Sequence, residues 1–213
     1  MKHIRTALFA PGAKARVMAK ALESGANAVI LDLEDSVPIL AKAEARALVA
    51  QAIDGTAALP AAMRPVITVR TNAVATGLLA DDLAAAVRPG LDAIFLPKVE
   101  TVDEMKDAAA LLERLETAKG MAAGTVGIVP MFESALGVMR CYELARATPR
   151  VSATCIGSAR DGDLQTDLGC GWSIEGTELL YARSKILLES RAAGVHALDG
   201  VFSDLNDEAG FIQ

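Results

Sequence analysis

The sequence predicts an α/β fold of parallel strands wound toward a barrel, and three observations predict it. Seven times a short apolar run, rich in Ile, Leu and Val or in Ala and Cys, stops at charged or small polar residues, and a helix-like stretch follows most of these stops. Hydrophobic residues make up 52% of the chain but aromatics only 4%, so the core is aliphatic and much of that fraction is helix-favouring Ala. The third is an absence: an open doubly wound sheet would carry G-x-G-x-x-G after its first strand, where this chain has Pro11-Gly12-Ala13-Lys14-Ala15-Arg16. Strands two to six all end in functional-looking residues, whereas an open sheet concentrates them at one switch point, which favours a (β/α)8 barrel of TIM type.

The elements follow in order. Thr6 to Ala10 forms a first strand, and Ala13 to Ser24 a helix closed by Gly25, where a positive φ is needed. Ala26 to Leu33 is the second strand, and Pro38 announces an Ala-rich helix from Ala41 to Ile53. Pro65 to Val69 is the third strand, followed by a helix through Asp81 to Val87 that stops at Pro89-Gly90, and Leu91 to Leu96 is the fourth strand. Thr101-Val102-Asp103-Glu104 has the capping-box form and opens a helix to about Lys119. Val126 to Met131, Val151 to Ile156 and Ala197 to Phe202 are the fifth, sixth and seventh strands, with helices from Ala135 to Arg146 and from Glu175 to Ala193 between them. The Gly169-x-Gly171 pair lacks a third glycine and follows no strand directly, so it reads as a turn.

A closed barrel of this type needs eight strands and typically about 250 residues; seven strands are readable in 213 residues. Residues 1–213 are therefore expected to form a single barrel domain truncated at the C-terminus, with the eighth strand and a C-terminal lid outside this sequence. The alternative, a barrel open on one side, would leave unpaired strand edges and part of the core exposed.

Composition excludes several classes. A net charge of -6 offers no basic field to hold a polyanion, so no nucleic acid is expected as partner. No apolar run is long enough to span a membrane, and Pro11-Gly12 cuts the first apolar run too short for a secretory signal. Cys141, Cys155 and Cys170 are odd in number, widely spaced and without C-x-x-C, which suits reduced thiols in or near the core of a cytoplasmic protein. His3 precedes the first strand and His196 begins the seventh at the end opposite the expected site; no G-x-S-x-G or H-E-x-x-H is present.

Strand alternation selects the acids that matter. In Ala28-Val29-Ile30-Leu31-Asp32-Leu33-Glu34-Asp35, Asp32 and Glu34 share parity with Ile30, while Val29, Leu31 and Leu33 form a wholly apolar face. Thr68, Arg70 and Asn72 share a parity in the third strand, and Glu133 shares that of Val129 and Met131 in the fifth. Asp32, Glu34, Arg70 and Glu133 are thus expected to point into the barrel mouth. An ion pair plugging the barrel top is the plainer explanation for any one of them, and several inward acids with one inward Arg weigh against it.

At these residues the chain resembles the citrate lyase β-subunit-like group of the HpcH/HpaI aldolase superfamily, which includes malyl-CoA and citramalyl-CoA lyases. The segments that carry the resemblance are Leu8 to Gly12, Val29 to Asp35, Val69 to Asn72, Leu96 to Glu100, Phe132 to Gly137, Asp163 to Gly169 and Leu198 to Val201, in the family's order and across almost the whole chain. The resemblance implies a TIM barrel with Mg²⁺ held by Glu133 and by an Asp after strand six. Asp163 keeps the family's spacing to Leu168-Gly169 and is the choice; Asp161, nearer the upstream Gly157, is the alternative. Two carboxylates with waters and substrate oxygens suit Mg²⁺, which seldom takes an all-protein cage.

By the same resemblance the expected reaction is reverse aldol or Claisen cleavage of a 3-hydroxy-3-carboxyacyl thioester, such as citramalyl-CoA or malyl-CoA, into an acyl-CoA and a 2-oxo acid. Arg70 is the candidate to clamp substrate oxygens, and Glu34 either orients Arg70 or takes part in proton transfer. Pro11, Gly12 and Glu133 are carried as substrate-binding positions, and Lys14 and Arg16 are candidates for CoA phosphates, although a solvated helix face explains them equally well. Two alternatives stand beside this reading: a carrier-protein-dependent citrate lyase β subunit, and a Schiff-base aldolase using Lys98 at the end of strand four. The resemblance further implies a homotrimer or hexamer in which a C-terminal segment closes the neighbour's site.

Overall fold

A computed structural model describes residues 4–60, 64–202, 204 and 206–212. Among the described residues seven strands follow one another in the sheet in sequence order, and β1 (Ala7–Pro11), β2 (Ala28–Asp32), β3 (Val66–Arg70) and β4 (Ala93–Pro97) pair in parallel, as do β5 (Gly127–Phe132), β6 (Ala153–Ile156) and β7 (His196–Leu198). Sequential order without a switch point is barrel-type winding rather than doubly wound. The expected α/β class and parallel pairing are therefore observed. His3 lies outside the described residues.

Two compact units divide the chain, residues 1–96 with 107–128 and residues 97–106 with 129–213. In the first, β1 to β4 are covered by α1 (Ala15–Leu22), α2 (Lys42–Ala57) and α3 (Leu79–Ala86), and Val29, Leu31, Ile53, Ile67, Leu83 and Ile94 are fully buried. Truncating one such Ile or Leu to Ala costs about 2–5 kcal/mol, so the strand-end polar groups sit on a stiff aliphatic floor. Gly25 has φ +81° beyond α1, as its place after the helix requires. At the start of α4 (Val102–Ala118), Glu104 Oε2 accepts the Thr101 N–H at 2.9 Å and Thr101 Oγ1 accepts the Glu104 N–H at 3.2 Å, the reciprocal bonds of a capping box.

The second unit departs from expectation in five places. The helix expected from Ala135 to Arg146 is two, α5 (Ala135–Met139) and α6 (Cys141–Ala145), broken at Arg140. Arg140 Nη1 donates to the backbone carbonyl of Glu100 at 3.1 Å, and Glu189 Oε2 accepts the N–H of Tyr142 at 2.8 Å, so contacts to residues outside the segment accompany the fresh start of the second helix. A short helix, α7 (Asp163–Leu168), fills the loop after β6, and Gly169 ends it with φ +65°. The next helix, α8 (Leu180–Ala193), starts later than Glu175, after a 3-10 turn at Thr177–Leu179. Strand β7 ends at Leu198 rather than Phe202: Asp199 turns to pair with Arg183 and accepts the N–H of Gly200 at 2.8 Å. A terminal helix, α9 (Glu208–Ile212), carried no signal strong enough to be expected.

Among the described residues no helix is long and apolar enough to cross a membrane. Cys141 and Cys155 are buried and Cys170 is partly so, none of them in a disulfide. Burial pushes the Cys141 thiol up to about 12, which makes it an inert packing group.

Candidate functional site

In the first unit the candidate residues form one network. Strand register sets Asp32 directly beside Arg70 on the neighbouring strand. Arg70 donates through Nε to Asp32 Oδ1 at 2.7 Å and through Nη2 to Oδ2 at 2.8 Å, while Nη1 lies 2.9 Å from Glu34 Oε2 and 3.7 Å from Asp35 Oδ2. The guanidinium also stands 5.2 Å over the Phe9 ring. Asp32 is 2% and Glu34 4% exposed, so neither charge is compensated by bulk water. Burial alone would raise the Asp32 carboxyl; the hydrogen bonds and charge of Arg70, with the Ser36 side chain and the Glu34 N–H, outweigh it and hold the group below the ordinary carboxylate value.

The backbone around this network is equally constrained. Gly12 donates its N–H to Asp32 O at 2.8 Å, and a Cβ at Gly12 would stand 2.6 Å from the same oxygen, so Gly12 is glycine because β1 must approach β2 this closely. Asn72 donates through its backbone N–H and Nδ2 to Asp82 Oδ2, both at 2.7 Å, and Nδ2 also reaches Leu33 O at 3.0 Å. Arg46 Nε pairs with Asp82 Oδ1 at 2.8 Å, which balances a fully buried carboxylate. Lys14 and Arg16 lie exposed at the start of α1.

The second unit holds the other candidates. Glu133 follows β5 and is 7% exposed. Its carboxylate lies against Gly157, the residue after β6, where a Cβ would come within 2.7 Å of Oε1; only glycine leaves that side chain its place. Asp163 opens α7, half exposed, and its Oδ2 is 2.9 Å from Lys98 Nζ. Lys98 has φ +55°, an uncommon backbone state for a residue with a side chain. Asp161 is exposed with φ +57°, and its N–H is taken by Gln165 Oε1 at 2.8 Å. Asp167 Oδ2 accepts the N–H of Ala135 at 2.7 Å, capping α5.

Among the described residues no three or more of His, Cys, Asp and Glu are grouped to hold a metal ion. A hard cation that keeps several waters needs only one or two carboxylates, and Glu133 in a cradle that a Cβ would fill, with Asp163 in the same unit, fits Mg²⁺ in that manner. The Lys98 pair competes for Asp163, but a pair this exposed contributes only about 0–1 kcal/mol.

Two residues escaped the sequence reading. Lys42, 8% exposed, donates from Nζ to Leu33 O at 2.6 Å and to Glu34 O at 2.8 Å. Its signal was faint: a cation as the first residue of a helix sits at the wrong end of the helix dipole. Gly157 was seen only as a reference point for loop spacing, and nothing local says that a carboxylate rests on it.

Parallel strands in sequential order give an α/β fold consistent with a TIM-type barrel, and each unit carries carboxylates near a cation. The chain belongs to the HpcH/HpaI aldolase/citrate lyase family, whose profile matches residues 5–213. It is 38% identical over 209 residues to the citrate lyase subunit beta of Escherichia coli K12, covering 98% of this chain and 67% of that protein. It is 31% identical over 225 residues to the L-malyl-CoA/beta-methylmalyl-CoA lyase of Cereibacter sphaeroides, covering 97% and 69%. The crystal structure of protein CitE from Mycobacterium tuberculosis in complex with magnesium, acetoacetate and coenzyme A superposes with a TM-score of 0.75 at 28% identity, covering 99% of this chain and 70% of that one. The chain thus spans about two thirds of the length of the relatives it matches.

Proposed function

We propose that this chain belongs to a Mg²⁺-dependent carbon–carbon lyase that cleaves a 3-hydroxy-3-carboxyacyl thioester, such as citramalyl-CoA or malyl-CoA, into an acyl-CoA and a 2-oxo acid. The observation that carries the reading is the Glu133 carboxylate seated on Gly157, in a family whose relatives include a malyl-CoA lyase and a neighbour crystallised with magnesium and coenzyme A. In the cleavage the substrate hydroxyl loses its proton and becomes the carbonyl of the oxo acid. The carbon–carbon bond breaks, its electron pair becomes a thioester enolate, and a proton returns to carbon. Negative charge thus moves between two oxygens, and fixed donors aimed at them lower the barrier.

Glu133 and Asp163 would hold the cation. When bound, Mg²⁺ supplies Lewis-acid polarisation and a template for the substrate's carboxylate and hydroxyl. Arg70 would donate to substrate oxygens from its Nη1 side, because Asp32 occupies its Nε and Nη2 edge, and Glu34 would set the plane of the guanidinium. A second reading, a carrier-dependent citrate lyase β subunit, is favoured by the 38% identity to a protein of that name.

A panel of 3-hydroxy-3-carboxyacyl thioesters, offered on CoA and on an acyl carrier protein, separates the two. Cleavage of a CoA ester that EDTA abolishes and Mg²⁺ restores is expected. Turnover only on the carrier would select the second reading, and turnover that survives EDTA would reject both.

A further inference from the structure

Lys42 is used by none of the roles assigned above. Its Nζ binds Leu33 O and Glu34 O, yet neither carbonyl depends on it: Leu33 O also accepts from Asn72 Nδ2 at 3.0 Å and Glu34 O from the Val37 N–H at 3.0 Å. An ammonium buried to this degree is costly, and satisfying two carbonyls that already have donors does not offset the cost. Burial pushes the amine below the ordinary lysine value, and the charges of Asp82, Asp32, Glu34 and Asp35 oppose that shift. Asp82 pairs with Arg46, while Asp32, Glu34 and Asp35 all reach Arg70.

We propose that Lys42 is a positioning residue for the Arg70 cluster: its ammonium clamps the carbonyls of Leu33 and Glu34, which fixes the Glu34 carboxylate against Arg70 Nη1. The kinetic part rests on the lyase reading; the link between Lys42 and Glu34 does not.

A double-mutant cycle of Lys42→Met and Glu34→Gln, read in thioester cleavage and in urea unfolding, tests both parts. Lys42→Met is expected to lower kcat about 10- to 100-fold with KM within about threefold, because a sub-ångström misplacement of Arg70 acts on the transition state. In the Glu34→Gln background the further loss should be under about twofold, and Lys42→Arg, which keeps the charge, should recover part of kcat. Multiplicative losses, or an unchanged kcat in Lys42→Met, would overturn the proposal. A wild type inactive on every thioester would reject the lyase reading instead. The urea cycle then decides alone: non-additive midpoints uphold the Lys42–Glu34 link and additive ones reject it.

Discussion

The Arg70 cluster gathers carboxylates at a strand end, whereas Glu133 follows β5 and Asp163 opens a helix, and the surroundings of the two sets differ. Around Arg70 the buried acids are answered by protein: a two-pronged guanidinium on Asp32, a third prong toward Glu34, and backbone N–H groups on Asp32. Around Glu133 the chain answers with shape, a glycine that yields room to the carboxylate, and the second acid is half exposed beside a lysine. A network tied by one guanidinium is suited to hold a geometry, while a carboxylate seated against a glycine is suited to share in binding a hydrated cation.

Gly157→Ala tests the shape half most severely. The added methyl must displace the Glu133 side chain, and about a 100-fold or greater loss of Mg²⁺-dependent kcat/KM is expected from steady-state assays, since catalytic groups tolerate little misplacement. Near-normal kinetics would mean that the position of Glu133 is unimportant. Arg70→Lys tests the charge half with the charge kept: a point cation cannot reproduce the two-pronged contact with Asp32, and a loss of about 10- to 100-fold in kcat/KM follows. An equal rate for Lys would reduce Arg70 to a source of charge.

The smallest effect is a pH dependence of stability. The folded Asp32 carboxyl titrates below its unfolded value of about 3.9. Its contribution is therefore complete above that value and is lost as pH falls through the folded one. Urea midpoints followed downward from about pH 6 should fall more steeply in wild type than in Asp32→Asn. Parallel curves would show that the pair does not stabilise the fold.

Much of this was legible in the chain. The alternation in the second strand selected Asp32 and Glu34, parity in the third selected Arg70, and the Thr101–Glu104 spacing announced the cap that forms. Illegible was what depends on register and distant segments. Parity says which face Arg70 takes, not that Asp32 captures its two-pronged edge, which follows from the pairing of β2 with β3. The break at Arg140 and the early end of β7 go with contacts to the Glu189 and Arg183 side chains and the Glu100 carbonyl, groups remote in sequence. Lys42 was invisible for the same reason, because its partners are backbone carbonyls that no residue pattern encodes.

The contrast between the two clusters is tested most directly by divalent-cation binding, titrated calorimetrically with Mn²⁺ or Mg²⁺ on wild type, Glu133→Ala, Asp163→Ala and Arg70→Lys. The account predicts that Glu133→Ala and Asp163→Ala weaken binding by about tenfold or more, while Arg70→Lys stays within about twofold of wild type. Wild-type affinity in Glu133→Ala, or an equal loss in Arg70→Lys, would contradict it.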